Sequence, residues 1–151
     1  MSRATSKTRR FAGCLVTYEA RAAKPAMSKN LAAYQVSEKL RPHIGTLMGK
    51  AGFCALLQRS LVLASQEVPW LHDVAVNADG TLDGWDRPAR KNEDTTEQGG
   101  TVLVAQLLGL LVAFIGENLT LRLIVQIWPQ LPKDELNFDK GDQNEKNKSR
   151  G

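Results

Sequence analysis

One apolar run constrains this chain more than anything else in it. Thr101–Trp128 reads TVLVAQLLGLLVAFIGENLTLRLIVQIW, with Glu117 and Arg122 as its only charges. From Gln98 to Gly116, nineteen consecutive residues are uncharged. Such a run either crosses a bilayer or lies in a protein core. A span needs about 20 apolar residues. The clean part, 101–116, falls short, and extending it to 121 takes in Glu117, which is costly near a bilayer midplane. Neither end carries a Lys/Arg cluster. The expectation is a buried core helix about 42 Å long at 1.5 Å per residue, ended by Pro129 and Pro132. The alternative is a small membrane-associated protein spanning once through 101–121.

A helix that is apolar on nearly all sides must be covered on nearly all sides. Ala105, Gly109, Ala113 and Gly116, continued by Thr120, form a stripe of small residues that would let a second helix approach closely. Leu107, Leu111, Phe114, Leu121 and Val125 make up the facing surface. The rest of the chain offers limited cover. A first helix is expected over 28–41, capped by Ser28 or Asn30 and ended by Pro42. A second is expected over 43–68, where Ile44, Leu47, Met48, Ala51, Cys54, Ala55, Leu57, Leu61 and Ala64 fit one broad face. Asn77-Ala78-Asp79-Gly80 sits between two short β-like runs and predicts a small hairpin within 73–85. Residues 86–100 read as a polar loop. The fold class is therefore mainly α: a three-helix core with a small β-hairpin inserted before the long third helix. This core is too small to cover the long helix, so a second copy or a helical protein partner is expected.

The ends differ in composition from the middle. The net charge is +4, but Arg3, Lys7, Arg9, Arg10, Arg21 and Lys24 lie in residues 1–26 against Glu19 alone. Residues 1–26 are expected to be a disordered basic extension ahead of a start at Met27, residues 27–132 a single helical domain, and residues 133–151 a disordered polar tail. With the positive charge in the extension, the folded part offers no specific nucleic-acid surface. Arg9-Arg10 is followed by no apolar stretch of signal-peptide length. Two cysteines, Cys14 and Cys54, in such different settings argue against a structural disulfide and for a reducing cytoplasm.

No catalytic or cofactor motif is present. His43, His72 and Cys54 match no metal-ligand spacing, and Cys54, among apolar neighbours, reads as a small hydrophobe. Ala75–Asp86 follows part of a calcium-loop pattern, but Ala75 stands where the first carboxylate belongs, so a plain turn is expected. No cofactor or metal is implied. The charges of the apolar run form the one candidate polar site: Glu117 and Arg122, five residues apart, with Arg59, Lys50 or His43 as a partner for Glu117.

Three stretches carry a resemblance: LRPHIGTLMGKAGFCALLQRSLVLA (40–64), EVPWLHDVAVNADGTLDG (67–84) and VAQLLGLLVAFIGENLTLRLIVQIWP (104–129). Their pattern, VPWL…DGxLxG…LLGLLVxFIGExLTLRL, resembles a group of small bacterial helical proteins with no established activity. The resemblance implies a bacterial setting and one domain starting near Met27, and nothing mechanistic. The function expected is a non-enzymatic interaction or regulatory protein acting through helix packing, as a homodimer or with a helical partner. A ligand binder or enzyme built around a buried Glu117 is the remaining alternative.

Overall fold

The structure is a computed structural model that describes residues 5–23, 25, 27–85 and 93–131, with the backbone alone for 93–98. It is mainly helical. In chain order it contains α1 (Ser6–Ala22), α2 (Lys29–Ser65), a 3-10 turn (Pro69–Asp73), β1 (Ala75–Val76), β2 (Leu82–Asp83), α3 (Glu93–Ile115) and α4 (Glu117–Ile127). The expected hairpin lies before the third helix. It pairs Ala75 with Asp83 and Val76 with Leu82, antiparallel. Gly80 closes its turn at φ 89°, and the Asp79 carboxylate accepts from both the amide and the hydroxyl of Thr81. Among the described residues, no cluster of His, Cys, Asp or Glu could hold a metal.

Residues 1–26 are not a disordered extension throughout. Thr5 caps α1 by accepting from the amide of Thr8. Phe11, Ala12, Leu15, Val16 and Ala20 are buried on one face, an i, i+4 and i, i+1 pattern that suits a helix lying on a core. Each large apolar side chain removed from water contributes about 1.5–3 kcal/mol. Residues 133–151 lie outside the described residues.

Two glycines set the topology. In α2 the expected stop at Pro42 is passed, and the helix breaks instead at Gly49 (φ 83°, ψ 161°). Pro42 sits on an exposed face, where the carbonyl it leaves unpaired can meet solvent. The φ/ψ at Gly49 belong to a region open essentially to glycine alone. The break reverses the chain. Tyr34 and Trp70 both lie against Trp85, with ring centroids at 6.3 and 5.4 Å, whereas a straight helix from 34 to 65 would part its ends by about 46 Å. The break also resets the helical phase. In 50–65 the buried residues are Phe53, Leu56, Leu57, Ser60, Leu61, Leu63, Ala64 and Ser65, while Ala51 and Ala55, expected in the core, are exposed, as is Leu47 just before the break.

The long third helix divides in the same way. It begins at Glu93, ahead of the expected start at Thr101, and ends at Ile115; Gly116 (φ 87°, ψ 161°) separates it from α4. Thr101 and Leu131 line one groove, although a straight rod would set them about 45 Å apart. The chain therefore folds back at Gly116 as it does at Gly49.

These reversals supply the cover that a single rod would lack. Leu103, Leu107, Leu108 and Leu111 of α3 are fully or almost fully buried against α1 and α2. The start of α3 lies close to its neighbours at Gly99 and Gly100. A Cβ on Gly99 would stand 2.5 Å from the Trp70 ring, and one on Gly100 would stand 2.7 Å from the Ala33 Cβ.

One helix, Lys29–Ser65, is long and apolar enough to cross a membrane by length and composition. Before Gly49 every 18-residue stretch of it holds at least three of Lys29, Glu38, Lys39 and Arg41, and after Gly49 too few residues are left. Any qualifying stretch must therefore include the break. The alternative span over 101–121 is likewise interrupted, at Gly116.

Candidate functional site

The expected polar site is not assembled. Glu117 opens α4 and is half-buried, while Arg122 and Arg59 are exposed. Glu117 and Arg122 line one open depression with Ile115, Gly116 and Leu119, and Arg59 is not part of it. The break at Gly116 explains the difference. In one continuous helix Glu117 would have been carried into the core; as the first residue of α4 it sits at a helix N-terminus, where a carboxylate is favoured.

Two carboxylates that sequence reasoning passed over do the joining. Glu19 of α1 is 6% exposed. It accepts from Trp128 Nε1 at 2.8 Å and from Lys39 Nζ at 2.9 Å, which ties α1, α2 and the end of α4 together. Glu67, just past α2, takes both guanidinium nitrogens of Arg9 at 2.9 and 2.8 Å and Nε2 of the fully buried Gln106 at 3.0 Å. The hydrogen bonds and charge of Arg9 hold the Glu67 carboxyl below the ordinary carboxylate range, against a smaller opposing effect of burial, and Glu67 in turn raises Arg9. One sequence signal could have located Glu19: it is the single acid in a basic segment, at helical spacing from Phe11, Leu15 and Val16. Both clusters join elements of the fold.

The aromatic residues also work structurally. Trp85 donates its indole N–H to the Asn30 carbonyl at 3.0 Å, and Trp128 is buried at the end of α4. Cys14 and Cys54 form no disulfide. The Cys54 thiol points at the Ala78 carbonyl, 3.4 Å away.

The small-residue stripe changes character within α3, before the break. Ala105 and Gly109 are buried within the molecule, whereas Ala113 and Gly116 are exposed. Beside them, Phe114 is 68% exposed, Leu119 40% and Val125 39%. From α2, Leu47 at 49% shares a groove of about 440 Å³ with Leu119, together with His43, Thr46, Arg122 and Leu123. Three of the six exposed large hydrophobic residues among the described ones, Leu47, Phe114 and Leu119, lie within three residues of a glycine break. Scattered exposed leucines are ordinary, but a grouped patch marks a contact surface.

No protein-family model, curated protein or solved structure matches the chain. The function must therefore be argued from the molecule alone.

Proposed function

We propose that this protein is a non-enzymatic interaction protein that self-associates through the apolar end formed by α4 and the two chain reversals. The observation that carries this reading is the exposure of Leu47, Phe114 and Leu119 within three residues of the two glycine breaks, with Leu47 and Leu119 lining one groove. Phe114 supplies an aromatic anchor of the kind that dominates interface energetics. Ala113 and Gly116 leave room for a backbone to approach it. A two-fold arrangement would set this patch against its own copy, the commonest closed geometry for a single kind of chain. Arg122, exposed beside the patch, suits a polar rim. The resemblance of 40–129 to small bacterial helical proteins, and a cytoplasmic setting, belong to the same proposal.

The test is the Phe114→Ser/Leu119→Ser pair, read by light scattering on a size-exclusion column. Wild type is expected to elute as a dimer and the variant as a monomer with unchanged thermal unfolding. A variant that stays dimeric removes this surface from the proposal. Wild type that is monomeric in buffer but binds lipid vesicles through these residues favours the membrane-associated alternative.

A further inference from the structure

A second surface, remote from the patch in the proposal above, has the chemistry of a binding site. A groove of about 740 Å³ runs along α1, past the first turn of α2 and the start of α3, to Leu131. That size lies within the range of ordinary small-molecule sites. Its lining is mainly apolar, with Gly13, Tyr18 and Leu131 contributing, yet three cations border it: Arg10, Arg21 and Lys29. No described carboxylate lines it, and none of the three cations makes an ion pair or a side-chain hydrogen bond among the described residues. The molecule's other strong pairings, Arg9 with Glu67 and Lys39 with Glu19, are made elsewhere.

Lys29 is the first residue of α2, behind the Ser28 cap. The helix N-terminus adds its own positive field there, next to Arg21 at the last turn of α1. Gly13 is a further observation. It sits in the middle of α1, where glycine is disfavoured, and a Cβ built on it meets nothing within 4 Å. No neighbour requires glycine at this place. What its missing side chain provides is open space along the groove.

We infer that this groove binds a single-chain anionic amphiphile, with the acyl chain along Gly13 and Tyr18 and the carboxylate or phosphate head at Arg21 and Lys29. Charge complementarity fixes the sign of the head, and the apolar lining requires the chain. A headgroup in a bilayer and a free monomer share this chemistry, but a groove of this size takes one chain at a time.

Calorimetric titration of the full chain with sodium decanoate and with decyl phosphate, both below their micelle concentrations, tests the inference. Saturable binding of one molecule per chain is expected, weakened at least tenfold in Arg21→Gln/Lys29→Gln. Both side chains are exposed, so this variant should fold as wild type does. Gly13→Leu should abolish binding while leaving thermal unfolding unchanged or higher, because leucine is the better helix former. Phe114→Ser, at the opposite patch, should bind as wild type does, which separates this site from self-association. Equal binding of decyltrimethylammonium, undiminished binding by Gly13→Leu, or association with phosphatidylglycerol vesicles in place of the monomers would overturn the inference.

Discussion

Glu19 gives a sharp test of whether α1 belongs to the folded unit. Its carboxylate is almost fully buried and accepts from the buried Trp128 indole N–H and from Lys39. The two bonds differ in worth. Lys39 is 46% exposed, so its share is that of a surface pair, about 0–1 kcal/mol. The Trp128 N–H has no route to solvent, and leaving it without an acceptor costs about 1–3 kcal/mol. Glu19→Gln keeps an acceptor oxygen for Trp128 and loses only the charge, so it should destabilise by about 1 kcal/mol or less. Glu19→Leu strands the Trp128 donor and releases Lys39 to solvent, and should cost about 1–4 kcal/mol. Urea unfolding followed by tryptophan fluorescence measures both. Equal, negligible effects would refute the placement of α1 on the core. Equal, large effects would show that charge rather than acceptor geometry matters at this joint.

Other expectations follow from single positions. Gly49→Ala and Gly116→Ala force a side chain into backbone regions open to glycine (φ 83° and 87°), and each should cost about 1–3 kcal/mol in the same assay. At both sites a Cβ meets no neighbour, so any loss is conformational. Gly100→Val should cost about 1–3 kcal/mol by overpacking against Ala33. For Glu67, the folded-state pKa is depressed, so its contribution is present above the ordinary carboxylate pKa and disappears as pH falls through the folded value. The pair is 36% exposed on each side, which limits the effect to about 1 kcal/mol or less. Wild type should therefore exceed Glu67→Gln in stability at neutral pH, with the gap closing in acid; a gap that widens in acid would contradict the assignment.

Much of the architecture was legible in the sequence, and most of the failures share one cause. The helical class and the hairpin at Asn77–Gly80 follow from local rules of periodicity and turn chemistry. The breaks at Gly49 and Gly116 do not. Isolated glycines inside apolar runs are usually tolerated as helix, and nothing local distinguishes these two from Gly45 or Gly109. Once each break is missed, the errors downstream are fixed: Ala51 and Ala55 are assigned to the core by carrying one helical phase across Gly49, and Glu117 is buried by carrying one helix across Gly116. The α1 stripe was missed for a different reason. The surrounding arginines dominate the composition of 1–26, and the apolar pattern of Phe11, Leu15 and Val16 is short. The expected shortage of cover for the apolar run is met largely from within, by α1 and the folded-back half of α2, which leaves one uncovered end in place of a whole exposed helix.

Self-association through that end is tested most directly by sedimentation equilibrium of the full chain over a wide range of concentration. Twice the chain mass of 16.6 kDa is expected for wild type, falling to the single-chain mass for Phe114→Ser/Leu119→Ser. A single-chain mass for wild type at every concentration would contradict the proposed interaction surface.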